Sequence, residues 1–336
     1  MNGVGTRSTV SGPSCEAVLR GRLALLPACL REVAQRVSAS SHARGPVVVT
    51  GIGGSEAPAR MMAELLRAHA GTSARFVPLS AFTPGAPPLE GAALVVFSQS
   101  LSPNARLALE RAPAFAHASL FTSVRGGPLR ARFEAAGGQV IALPPESEQG
   151  TLVRVVGPLA AMLAAALHTG AASPLDVEPL LHAIADAPAR LPPVAHRGNI
   201  AFVTAGGYGE LCHAAKNVWL EALGAREPAM WDVLGVAHGP FQQFFDSETL
   251  LVALEREGEE RALFDRLERM LVPGRHTLVR LRSSLPRAVA PIDHLAQVIE
   301  LVCRRLDASP RDLGGGLDSG LDAPLYELGK ESPGEG

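Results

Sequence analysis

Val47-Val48-Val49-Thr50-Gly51-Ile52-Gly53-Gly54-Ser55-Glu56-Ala57 is a β-branched run, a glycine-rich turn and the first residues of a helical pattern, in that order. A strand that passes through glycines into a helix leaves backbone N–H groups and a helix dipole facing outward, which suits an anion. Gly53, Gly54 and Ser55 are therefore candidate anion-binding residues. A dinucleotide fingerprint would put a third glycine where Glu56 stands and an acidic residue at the end of the next strand, where the chain has Leu79-Ser80. A Rossmann-type dinucleotide cofactor is thus disfavoured, and no cofactor is expected.

Outward from this stretch the pattern repeats. A leading helical segment, 15–39, precedes it. Strand-length apolar runs follow at 75–79, 93–98, 119–124 and 139–143, with helical stretches at 57–70, 103–112 and 128–136 between them. Strands alternating with helices at this spacing imply right-handed crossovers and a parallel sheet, and strands apolar on both faces imply helices on both sides. Val155–Leu167 is apolar but contains Gly157 and Pro158, and it is too short to span a bilayer. It reads as a buried helix. After the proline-rich stretch 188–193 the pattern restarts: a strand at 199–204, a glycine turn, one long helix at 210–223, strands at 249–254 and 276–282, and helices at 259–271 and 292–306. Ala201-Phe202-Val203-Thr204-Ala205-Gly206-Gly207-Tyr208 is similar to the opening stretch, which suggests an internal duplication.

The chain has 336 residues, enough for two domains, with 47% apolar residues and a formal net charge of -2. The charge argues against a partner that binds through phosphate neutralisation, so no nucleic-acid binding is expected. Of 31 basic residues only Lys216 and Lys330 are lysines, so any lysine chemistry has two candidates. Cys15, Cys29, Cys212 and Cys303 lie far apart with no CxxC, which points to a reduced compartment and no metal site. With neither a signal peptide nor a membrane span in view, the expected location is the cytoplasm.

The third strand runs into Phe97-Ser98-Gln99-Ser100-Leu101-Ser102-Pro103-Asn104. Two loops at the carboxyl ends of neighbouring parallel strands would make a hydroxyl- and amide-rich cradle for a phosphate monoester. Capping of the next helix would account for Ser102 but not for the serine cluster. At these residues the sequence resembles the sugar isomerase (SIS) domain family, and 15–313 resembles the tandem SIS arrangement in the isomerase half of glucosamine-6-phosphate synthase. The resemblance implies an α/β fold of two tandem SIS units, each a parallel five-stranded, flavodoxin-like sheet flanked by helices. On that reading 1–13 is a flexible leader, 14–187 the first SIS domain, 194–310 the second, and 311–336 an extended tail. In the family the two loops bind the sugar phosphate, which carries over to Gly53, Gly54, Ser55, Ser98, Gln99 and Ser100. The family motif continues with a small residue, an acidic residue and a threonine. Here stand Leu101, Ser102 and Pro103, and Ser102 is the candidate to replace the threonine ligand.

The second half has no matching serine loop: its strand at 249–254 runs into Glu255-Arg256-Glu257-Gly258, whose carboxylates would repel a phosphate. One phosphate site per chain is expected. By itself Glu221, on a helix, would be a solvated carboxylate, and His238, in His238-Gly239-Pro240, a turn residue. SIS isomerases resemble this stretch in carrying a helical glutamate followed by His-Gly-Pro. There the glutamate moves a proton between C1 and C2 of the open-chain sugar, and the histidine, from a partner subunit, helps open the ring. The resemblance gives those roles to Glu221 and His238 and implies a homodimer. The family's acidic residue before His-Gly-Pro is absent, with Asp232 nearby, and its tail lysine has no counterpart at 314–316. The function expected is an isomerase or deaminase of a sugar phosphate or amino-sugar phosphate, working without glutamine hydrolysis. The alternative is a non-catalytic sugar-phosphate sensor.

Overall fold

The structure is a computed structural model, and it describes residues 15–40, 45–83, 91–145, 148, 153–194, 198–224, 226–258, 260–310, 323–326 and 328. The expected leader and most of the expected tail, Lys330 included, lie outside the described residues.

Helix α1 (Cys15–Arg36) is followed by β1 (Val47–Thr50), α2 (Glu56–Ala68), β2 (Ala74–Phe76), β3 (Ala93–Phe97), α3 (Ala105–Leu109), β4 (His117–Thr122), α4 (Pro128–Ala135) and β5 (Gln139–Ala142). The strands form one sheet in the order β2-β1-β3-β4-β5, every pairing parallel, with Val49 beside Val95 and Val95 beside Ser119. Alternation along the strands explains the two-sided cover. Val48, Leu94, Val96 and Leu120 point into a cluster with α3 and Phe133 of α4. Val47, Val49, Val95, Phe97 and Phe121 point to the other face, against α1, α2 and the next helix, α5 (Val156–His168). On that face Phe97 and Phe121 stack with centroids 4.4 Å apart. The apolar run at 155–167 is indeed a buried helix, α5, with all residues from Pro158 to His168 buried.

Helix α6 (Val177–Arg190), which the proline at 188 obscured in the sequence, leads to the second half: β6 (Asn199–Thr204), α7 (Tyr208–Leu211), α8 (Ala214–Leu223), β7 (Ala229–Asp232), α9 (Pro240–Phe244), β8 (Thr249–Arg256), α10 (Arg261–Met270), β9 (His276–Ser283) and α11 (Ala290–Ala308). The second sheet is parallel in the order β7-β6-β8-β9. It repeats the first sheet's arrangement but has four strands among the described residues, where five were expected. After β9 comes α11, where a helix was expected at 292–306; its long buried face packs on α1, α6 and α8, and no further strand follows among the described residues. The long helix expected at 210–223 is broken. Cys212 N–H bonds back to Gly209 O at 3.2 Å and Ala215 N–H to Cys212 O at 3.0 Å, tight turns that separate α7 from α8. Strand β7 was not anticipated, being four residues long and only partly buried.

One continuous cluster of buried side chains draws on both sheets. Val49 and Phe97 of the first and Phe202, Val252 and Leu281 of the second belong to it, joined through α1, α5, α8 and α11.

Candidate functional site

In the order β2-β1-β3 the chain leaves β1 toward one edge and returns on its other side, so the loops after β1 and β3 diverge and leave a crevice. The β1 turn is shaped by Gly51, where a Cβ would stand 2.3 Å from the Ser55 carbonyl oxygen and 3.2 Å from that of Phe97. A side chain there would force the two loops apart. The β3 loop is tied down from behind. Ser98 N–H donates to Phe121 O at 3.0 Å, and Gln99 O accepts from Ser123 N–H at 3.0 Å and from the Thr122 hydroxyl at 3.1 Å. The two loops also touch: Gln99 N–H donates to Ser55 Oγ at 3.4 Å.

Helix α5 starts against the same loop. A Cβ on Gly157 would lie 2.3 Å from Gln99 Oε1, so the helix approaches the glutamine as closely as it does because it carries no side chain there. Its start is held by Glu148, a buried carboxylate that accepts the N–H groups of Val155 at 2.7 Å and Gly157 at 2.9 Å. Arg22 Nε lies 3.6 Å from Glu148, and the same guanidinium donates to Val153 O. Arg154 is held between these anchored neighbours.

The result is a cavity of about 240 Å³. It brings together all seven residues expected to bind phosphate, Gly53, Gly54, Ser55, Ser98, Gln99, Ser100 and Ser102, with Glu221 from α8 of the other half. Ser55, Ser98 and Gln99 are buried and Ser100 is exposed. Gln99 Nε2 is buried with no hydrogen-bond partner among the described residues. Ser102 is not a helix cap: α3 begins at Ala105 and its N-cap is Asn104, with no side-chain cap bond. Leu101, beside the serines, has φ +51°, the one non-glycine residue with positive φ among those described.

Glu221 is partly buried, and its carboxylate accepts the backbone N–H of Arg154. Burial pushes it up to about 7, against the opposing pull of the Arg154 charge and that N–H. A carboxyl that titrates near neutrality can both take and return a proton at that pH.

His238 stands apart. It is exposed, just after the turn Gly235–Ala237, and does not line the cavity of its own chain. Lys216, one candidate for lysine chemistry, pairs with Glu227 at 2.6 Å and does not line the cavity either. Asp232 accepts the N–H groups of Gly206 and Leu234, both at 2.9 Å, and so braces the second glycine turn.

Four lining residues were not among the expected site residues: Ile52, Asn104, Arg154 and Tyr326. Arg154 belongs to no motif, and its one signal is its place just before a buried helix. Tyr326 comes from a short helix, α12 (Ala323–Tyr326), within the expected tail, and Asn104 Nδ2 donates to Leu325 O at 2.9 Å to hold that helix over the cavity.

The equivalent crevice of the second sheet is filled by the chain itself. Tyr208 is fully buried there, its hydroxyl donating to His294 Nδ1 at 2.8 Å while His294 Nε2 donates to Glu255 O at 3.2 Å. Burial pushes His294 down to about 4, so the ring is neutral at pH 7. Arg256 stacks over the Tyr208 ring at 5.4 Å and pairs with Glu260 at 2.5 Å. The buried Glu255 pairs with Arg280 at 2.5 Å. Glu255 and Glu260 are thus neutralised in place, and the space is taken by Tyr208, an obstacle not foreseen from the sequence. A larger cavity, about 580 Å³, lies at the amino-terminal ends of the first sheet's strands, by Ala93, His117 and Gln139, away from the loops that present N–H groups. Among the described residues no group of three or more His, Cys, Asp or Glu could hold a metal ion, and no helix is long and apolar enough to cross a membrane.

No family model and no curated protein matches the chain in sequence. Solved structures do match in fold. The C-terminal domain of glucosamine-fructose-6-phosphate aminotransferase from Francisella tularensis superposes with a TM-score of 0.65 at 9% identity, covering 89% of this chain and 98% of that one. Tagatose-6-phosphate ketose/aldose isomerase from Escherichia coli gives 0.67 at 16% identity, with 92% and 97% covered. Glucosamine-6-phosphate deaminase from Thermotoga maritima gives 0.63 at 12% identity, with 86% and 95% covered. The chain has the α/β fold of these proteins over nearly their full length.

Proposed function

We propose that the chain is a tandem pair of SIS units, 14–187 and 194–310, that acts on a sugar phosphate or amino-sugar phosphate by moving a proton between C1 and C2 of its open-chain form. The observation that carries this reading is a single cavity in which a serine- and amide-lined crevice of one half meets a carboxylate of the other that titrates near pH 7. The phosphate sits on Ser55, Ser98, Gln99, Ser100 and Ser102, at the glycine turn of Gly53 and Gly54. With the phosphate fixed there, Glu221 takes the proton from C2 of the aldose and returns it to C1, passing through an enediol; with an amine at C2, the same transfer gives a C2 imine, which water hydrolyses to the ketose and ammonia. No cofactor is needed. His238, exposed and outside its own chain's cavity, acts at the ring oxygen of a second copy in a homodimer. The fold neighbours named for glucosamine-6-phosphate deaminase and tagatose-6-phosphate isomerase support this substrate class.

A sensor of sugar phosphates is the second reading, favoured by one observation: among the described residues of the tail, Tyr326 lines the cavity and no lysine does. One experiment separates the two. Glucosamine 6-phosphate, fructose 6-phosphate and tagatose 6-phosphate are screened by thermal shift and each stabilising compound is assayed for turnover. The enzyme reading expects turnover that falls roughly 100-fold or more in Glu221→Gln, and binding that weakens in the Ser98→Ala, Ser100→Ala double variant. Stabilisation without turnover favours the sensor, and an undiminished Glu221→Gln rate removes that residue from the mechanism.

A further inference from the structure

Arg154 lines the cavity between the glycine turn and Glu221. Its Cβ lies 4.0 Å from where a Cβ on Gly54 would be, its backbone N–H donates to the Glu221 carboxylate, and the charge of its side chain acts on that carboxylate. Among the described residues lining the cavity it is the one cation and Glu221 the one carboxylate; the cradle otherwise offers hydroxyls and amides. A phosphate dianion brought close to a half-buried carboxylate opposes its ionisation, and a cation between the two relieves that opposition. We propose that Arg154 is a positioning residue that couples substrate binding to the base: its guanidinium offsets the charge of a dianionic phosphate in the serine cradle and keeps the neighbouring Glu221 ionised while that dianion is bound. The inference rests on the reading of the cavity as a sugar-phosphate site.

Other charged groups around α8 are turned elsewhere. Lys216 is engaged by Glu227, His213 stands 3.5 Å from Glu56, and Arg305 of α11 stacks over Trp219 at 5.6 Å; Tyr326 shares the cavity. Lysine would keep the charge but lose the planar fork that grips an oxyanion.

The test follows the Glu221 carboxyl directly, by infrared titration of each protein against the same protein carrying Glu221→Gln, with and without sulfate as a non-titrating dianion. In Arg154→Gln the Glu221 midpoint is expected at least one pH unit above that of the parent, sulfate binding at least ten-fold weaker, and the sulfate-induced rise of the midpoint larger. Arg154→Lys is expected to restore the midpoint and only part of the sulfate affinity, a pattern that mere loss of packing would not produce. An unmoved midpoint in Arg154→Gln, or unchanged sulfate affinity, overturns the proposal. Should Arg154→Gln fail to fold, judged by circular dichroism, the lysine variant decides: parental sulfate affinity overturns it. Turnover of the sugar phosphates by Glu221→Gln is read alongside. An undiminished rate there overturns the functional reading itself, and is distinct from a failure confined to Arg154.

Discussion

At the scale of single residues, Glu221 sits in a place that disfavours its charge. Its carboxyl, at 4.5 in an unfolded chain, is raised to about 7 in the fold, mainly by burial. The folded state therefore binds this proton more tightly than the unfolded state. The stability it contributes is fully present below pH 4.5 and is lost as the pH rises through 7. Discounted for partial solvent access, the loss is about 1–2 kcal/mol. Glu221→Gln, which cannot ionise, is expected to be more stable than the parent by about that amount at pH 8 and equal to it at pH 4. Urea denaturation at the two pH values measures this, and equal stability at pH 8 would show that the carboxylate bears no such penalty. The same side chain is expected to make the protein active and less stable, as strained functional groups do.

At the scale of elements, the loop after β3 is the telling case. Leu101 adopts a left-handed backbone that costs a non-glycine residue roughly 1 kcal/mol, yet its side chain is half-buried against the cluster beneath α3. Replacing it by glycine removes that strain, but gives up about 1–2 kcal/mol of apolar contact and adds about 0.5–1 kcal/mol of chain entropy in the unfolded state. Contact wins. Leu101→Gly is expected to lower stability by about 1 kcal/mol and to weaken sugar-phosphate binding, because the serines lose the anchor that aims them. Denaturation and ligand titration test this, and a stabilised variant would show that Leu101 anchors nothing. The strand–turn–helix from β1 to α2 and the serine loop after β3 were legible because each is a local pattern: β-branched run, glycines, then helical spacing. So was the buried helix α5. Arg154 and Tyr326 were not, since they enter the cavity through chain folding over distances that no local period records. The helix expected at 292–306 is there as α11, packed on α1, α6 and α8. Of the second sheet, the strands at 199–204, 249–254 and 276–282 were legible, and the short, partly buried edge strand β7 was not. The filled crevice at Tyr208 was equally hidden, because its glycine turn reads like the open one.

At the scale of the whole molecule, the two sheets are bound by one core. Helix α1, at the beginning of the described chain, packs on both α5 and α11, and α11 lies on α6, α8 and β9. The cavity is built the same way, with its cradle on one half and Glu221 on the other. Neither half closes its own apolar surface. The intact chain is expected to unfold in one cooperative transition, and the fragments 1–194 and 198–336, made separately, to bind a hydrophobic dye and to lose it when mixed. A sharp thermal transition for the first fragment alone would count against this. On the function proposed above, with the cradle on one piece and the carboxylate on the other, catalysis is expected to return only as the pieces rejoin. Cut in the connection between α6 and β6, the molecule is expected to report its own reassembly, with turnover of the proposed sugar-phosphate substrate as the signal.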